Sequence, residues 1–311
     1  MLVLPRFNLL PGLWLTLVLL AVALGFGTAF LSLVGGTAEL TRVVELAGPL
    51  SALLVLGGLG LLGLIAGLLG MSAARRTPPP LLVAVGLALV PWLLGIASTQ
   101  ETLEQALGAL PVAGSGDVLA ALAEGTSEAM VARLLGSWMS AALLVGVAVG
   151  LGVLRLGQRE QSGLGLGLGA ALSLVLAGIA LLVALEAHQL FNLMTELASA
   201  RPEVREATLA AGTADLSMLR ELRSAAVGML AVLALALVCW QLFEHPRAIR
   251  QWAGSLLLAT LAAALLVMDA RPLRRAQEEA RAAGLPTALL KTLEQTPTLG
   301  VMGLRGGRTS P

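Results

Sequence analysis

Cysteine, tyrosine, lysine and histidine are nearly absent, and charge of either sign is sparse. The one cysteine, Cys239, lies in an apolar run, which excludes an intrachain disulfide and a multi-cysteine metal site and leaves packing as its role. Charged residues make up only 13% of the 311 positions against 57% hydrophobic. Ordinary soluble domains carry roughly 25% charge, so that class is excluded. Basic side chains are almost all arginine, with Lys291 the one lysine, and there is no tyrosine. That bias reads as a GC-rich bacterial genome rather than as function. The residues from 269 onward hold seven of the twenty basic residues but no aromatic partners, which argues against a nucleic-acid surface.

What fills the chain instead is a series of apolar stretches at 11–34, 48–70, 80–98, 137–154, 164–185, 224–243 and 252–268. Each is close to the ~20 residues that cross a ~30 Å hydrocarbon core as a helix. None shows the alternation that a membrane barrel needs. The expectation is an all-α membrane protein of seven spans, in contact with the lipid bilayer.

Gly-Thr-small-acid recurs as Gly36-Thr37-Ala38-Glu39, Gly125-Thr126-Ser127-Glu128 and Gly212-Thr213-Ala214-Asp215, at intervals of about 87–89 residues. Arg133 and Arg220 each follow the glycine by eight residues. The sequence divides accordingly into tandem hairpin units at 1–79, 80–162 and 163–251, with a half unit and external tail at 252–311. The end from about residue 300 reads as disordered. Arg6 ahead of Leu13–Leu24 also fits a secretory leader, but the first repeat copy needs that span retained.

Arg6, Arg75, Arg76, Arg155, Arg159, Arg247 and Arg250 flank the short turns on one side, with only Glu160 and Glu244 opposing them. By the positive-inside rule those turns and the amino end are cytoplasmic, in a bacterial inner membrane. The longer segments bearing Arg42, Arg133, Arg201, Arg205, Arg220 and Arg223 are then external, as is the tail, although Arg271, Arg274 and Arg275 oppose that last placement. Residues 101–110, 189–199 and 273–283 show helical apolar stripes, expected to form short amphipathic helices over the outer surface.

Thr37, Thr126 and Thr213 read as helix N-caps, each with an acid in the first turn, starting the span that returns into the membrane. The competing reading makes Glu39, Glu128 and Asp215, with Glu101, Glu186 and Asp269 at the ends of outgoing spans, an acidic outer rim that gathers cations. Gly57, Gly60, Gly63, Gly67 and Gly70 recur at three- and four-residue steps and read as a helix-packing face, within the chain or between copies. Gly146 with Gly150, Gly163 with Gly167, and Gly165 with Gly169 repeat the pattern. Glu186 and His188 are two residues apart and point in different directions, and His245 falls on the opposite membrane side, so haem ligation is not expected. No cofactor, metal site or catalytic group is expected, and the spans read as apolar apart from Pro91 beside Trp92.

The segment Leu122-Ala123-Glu124-Gly125-Thr126-Ser127-Glu128-Ala129-Met130 resembles the stretch before the last membrane helix of the MotA/TolQ/ExbB proton-channel family. That resemblance covers about nine positions and lacks the family's large cytoplasmic region; Ser137 and Ser140 are its only counterparts to the family's pore-side hydroxyls. It implies a relative or accessory protein, without transferring any functional residue. The expected function is therefore a non-enzymatic structural or accessory subunit of an ion-driven or energy-coupling complex, contacting another membrane protein or a second copy through its glycine faces. An independent transporter, or a cation or proton channel, is the alternative.

Overall fold

The computed structural model describes residues 9–47, 49–75, 80–109, 118–157, 163–244, 249–282, 284, 289–290 and 293. His245, residues 76–79 and the residues beyond 300 fall outside these. The described residues form helices joined by short turns, with no strand among them. In chain order the helices are α1 (Leu9–Val34), α2 (Thr37–Ala47), α3 (Pro49–Arg75), α4 (Leu81–Ala109), α5 (Val118–Gly157), α6 (Gly163–Ser199), α7 (Pro202–Glu244) and α8 (Ile249–Ala282).

Five of them are long and apolar enough to cross a membrane, through Leu15–Val34, Leu81–Gly108, Val118–Arg155, Leu166–Ser199 and Glu203–Cys239. A shorter apolar stretch, Leu56–Ser72, lies in α3. Seven of the eight helices contain the seven apolar runs read from the sequence, α2 being the extra one. At 1.5 Å per residue, the 40 residues of α5 reach about 60 Å, roughly twice a hydrocarbon core.

Helix α5 is the hub. It packs against α1, α2, α3, α4 and α6, while α7 lies on α6 and α8 rests on α4 and α7. Two apolar clusters fill the interior, one around Ile65, Leu89, Trp92, Leu144 and Val183, the other around Leu134, Leu190, Met194, Leu197 and Leu273.

Three expectations are corrected. The outer amphipathic stripes expected at 101–110, 189–199 and 273–283 are, as far as Ala109, Ser199 and Ala282, not separate helices but continuations of α4, α6 and α8. Only α2 stands alone, set off by Gly35 and Gly36 at φ 91° and 109°. Gly36 closes α1 through its N–H to the Leu31 carbonyl at 2.9 Å and opens α2 by accepting Leu40 N–H at 3.1 Å. The glycine itself is therefore the cap, and Thr37 the first helical residue.

The N-cap reading fails for the other two copies. Thr126 and Thr213 lie well inside α5 and α7, and Thr213 Oγ1 donates to the Ala210 carbonyl of its own helix at 2.7 Å. The helix starts earlier, at Val118 and at Pro202, where a proline sits at the first position and sacrifices only an N–H that would have had no helical partner.

The third correction concerns glycine packing. Gly57, Gly60, Gly63, Gly67 and Gly70 have open space where a Cβ would stand, so among the described residues no close helix approach uses those positions. Close approach occurs where α4 crosses α5. A Cβ on Gly95 would lie 2.7 Å from the Ala132 carbonyl oxygen, and one on Gly136 would lie 2.9 Å from Gly95 Cα. Gly146, Gly150 and Gly169 do pack, against Leu19, Leu69 and Leu81 respectively. At this crossing Pro91 removes one N–H from the hydrogen-bond ladder of α4, and the next N–H, that of Trp92, donates to Ser140 Oγ on α5 at 2.9 Å.

Candidate functional site

One face of α5 carries Thr126, Met130, Arg133, Ser137 and Ser140 at steps of three and four residues, all buried. Arg133 stands at the centre of this face with 1% of its surface exposed. A lone guanidinium there would be untenable, because removing an ion from water costs several kcal/mol even after relaxation. Neighbouring helices supply its partners.

Asp269 of α8 takes Arg133 side-on, accepting from Nε at 3.1 Å and Nη2 at 2.6 Å, a bidentate geometry that favours arginine over lysine. Trp92 Nε1 of α4 donates to the same carboxylate at 3.2 Å. On the other side, Glu186 of α6 lies 3.8 Å from Arg133 Nη2. Glu186 is itself held by two arginines one turn apart on α7, accepting from Arg220 Nε at 3.0 Å and from Arg223 Nη1. The network Trp92–Asp269–Arg133–Glu186–Arg220/Arg223 thus ties together α4, α5, α6, α7 and α8.

Arg133, Glu186, Arg220, Arg223 and Asp269 are the buried charged side chains among the described residues, three positive and two negative. All five lie just outside the apolar runs at 137–154, 164–185, 224–243 and 252–268, in the longer helices that extend those runs. Two of the six rim acids do not lie on an open rim. Glu186 and Asp269 are 1% and 4% exposed and face guanidiniums, whereas Glu39, Glu101, Glu128 and Asp215 are exposed. His188 bonds Asn192 through Nε2 at 3.3 Å and does not meet Glu186.

Chemically, the arrangement offers no nucleophile–base pair. Each carboxylate is already engaged by guanidinium, and no group of three or more potential metal ligands occurs among the described residues. What it can do is fix helices to one another, or let Arg133 exchange between Asp269 and Glu186.

The glycines of the second and third motif copies lie eight residues earlier on the same helices as Arg133 and Arg220 and serve packing. A Cβ on Gly125 would collide with Ala106 of α4, and one on Gly212 would lie 2.6 Å from Leu193 Cδ1 of α6. Each glycine stands nineteen residues after the side chain it meets. The arginine eight residues on then points into the network. That spacing was the visible signal for Arg133 and Arg220; nothing in the sequence marked which acids they meet. The segment Leu122–Met130 lies within α5, with Glu124 and Glu128 exposed and Leu122, Ala123, Thr126 and Met130 buried.

No protein-family model matches this chain, and no curated protein or solved structure matches it either.

Proposed function

We propose that the chain is a bacterial inner-membrane protein of seven crossing helices, α1 and α3–α8, acting as a non-enzymatic structural or accessory subunit of an ion-driven or energy-coupling complex. The observation that carries this reading is the paired state of the buried charges: Asp269 and Glu186 are each bound by arginine, so neither is free to carry an ion along the bundle. Repeat architecture is supported by the matched contacts of Gly125 and Gly212. By the same 87-residue offset, Glu186 corresponds to Thr99, whose hydroxyl bonds the Gly95 and Ala129 carbonyls. The second unit thus lacks the acid that its arginine would pair with, and Arg133 takes Asp269 from the half unit.

Orientation with the amino end inside gains support from the same network. Arg133, Arg220 and Arg223 are withdrawn into the bundle, so they no longer count among the basic residues of the external loops, and the charge asymmetry grows.

A second reading, an independent transporter or a cation or proton channel, is favoured by one observation: buried ionisable groups in membrane-spanning segments often mark ion paths. Purification from native membranes separates the two. Stoichiometric recovery of a single-span partner with a periplasmic domain is expected for the accessory role. A solitary monomer that moves protons or cations when reconstituted would establish the alternative.

A further inference from the structure

We infer that internal water enters the bundle from one end only and reaches Arg133 and Glu186, making the network the closed end of a hydrated file whose ligand is water. This rests on the membrane-spanning reading and goes beyond it. The basis is where unpaired polar atoms lie. Among the described residues, four buried side-chain atoms have no hydrogen-bond partner: Thr126 Oγ1, Arg133 Nη1, His188 Nδ1 and Gln189 Oε1. Each such group left dry costs about 1–3 kcal/mol, and buried waters, which make about three hydrogen bonds each, are the usual remedy.

Three of the four share a path. Arg133 sits beside Glu186, and Leu151 on α5 packs near Gly169 on α6, so the two helices run antiparallel. Residues before Arg133 on α5 and residues after Glu186 on α6 therefore lie toward the same end. Thr126 is two turns before Arg133 on its face of α5, about 10 Å away along the axis. Gln189 is one turn beyond Glu186 on its face of α6. At Arg133 itself, Asp269 occupies Nε and Nη2, leaving Nη1 open. The 3.8 Å from Nη2 to Glu186 is too long for a direct hydrogen bond, so that contact is an ion pair only and does not satisfy Nη1. His188 points elsewhere on α6 and takes no part.

Beyond the network the pattern reverses. Ser137 Oγ donates to the Arg133 carbonyl at 2.6 Å, Ser140 Oγ accepts Trp92 N–H at 2.9 Å, and Ser173 Oγ donates to the Gly169 carbonyl at 2.9 Å. Every buried hydroxyl on that side of α5 and α6 is satisfied without water. By the proposed orientation the wet side is external.

Radiolytic hydroxyl labelling of the full chain in lipid nanodiscs tests this, because radicals form where water resides. Met130 lies between Thr126 and Arg133 and is 0% exposed; Leu144 is equally buried on the opposite side of the network. In a Leu144→Met variant, Met130 should oxidise at least tenfold faster than the introduced sulfur. Thr126→Val with Gln189→Leu should slow Met130 severalfold. Equal slow rates would show a dry bundle, and equal fast rates a path open at both ends; either overturns the inference. Extraction of the same samples with alkaline carbonate keeps the spanning reading separate: protein released from lipid refutes that reading whatever the sulfurs do.

Discussion

Removing the Asp269 carboxylate isolates the partnership on which the five-helix junction depends. In Asp269→Ala, Arg133 loses both side-on hydrogen bonds and Trp92 loses its indole acceptor, in a place where the guanidinium is 1% exposed. The nearest remaining acid, Glu186, is already held by Arg220 and Arg223. Leaving one member of a buried pair uncompensated costs about 3–5 kcal/mol. For a chain of this size that lowers the melting temperature by something on the order of 10 °C. Replacing both partners removes the penalty, so Arg133→Met with Asp269→Ala should recover most of the loss and lie within about 1–2 kcal/mol of the parent. Thermal unfolding of the four proteins in one detergent or nanodisc gives the cycle. A single Asp269→Ala variant within 1 kcal/mol of the parent would refute the burial argument. A double variant as unstable as the single one would refute the pairing.

Three further predictions concern packing and the exposed acids. Gly95→Ala should destabilise by about 1–3 kcal/mol, because its Cβ meets backbone of α5, whereas Gly60→Ala and Gly63→Ala should be neutral or slightly stabilising in the same melt. Gly125→Ala should cost a similar amount by collision with Ala106, and Ala106→Gly should restore it; failure of that rescue would show the contact is not the cause. Glu101→Gln and Glu128→Gln, at exposed positions, should each change stability by no more than about 0.5 kcal/mol, and any larger loss would place them in contacts absent from the bundle described above.

The helices were largely legible because apolar runs of near-membrane length leave the backbone little alternative in lipid. Pro49 and Pro202, each at the first position of its helix, are equally strong start signals in the sequence. Local chemistry misled at Thr126 and Thr213. A hydroxyl followed by a carboxylate is a sound cap, but a long helix that packs on its neighbours, as α5 does on five of them and α7 on α6 and α8, runs through it.

The network was harder to read. In the sequence Arg133, Arg220 and Arg223 read as loop charges, since the apolar runs begin after them, and Glu186 and Asp269 as acids at span ends. Charge near a span boundary can face water or its neighbours equally well, and only the antiparallel packing of α5 on α6 and the parallel run of α8 beside α4 bring the partners together. The regular spacing of Arg133 and Arg220 after their glycines was the trace that sequence did carry. The outward face of α3 shows the converse: a glycine stripe reports that close approach is allowed, not that it occurs within the chain.

Proton flux into liposomes containing the purified chain, read by a trapped pH dye under an imposed potential, tests most directly whether the buried charges bind helices together or pass ions. The paired network predicts a rate equal to that of protein-free vesicles for the parent and for Glu186→Gln. A parent flux well above that background, lost in Glu186→Gln while the protein remains folded, would contradict it.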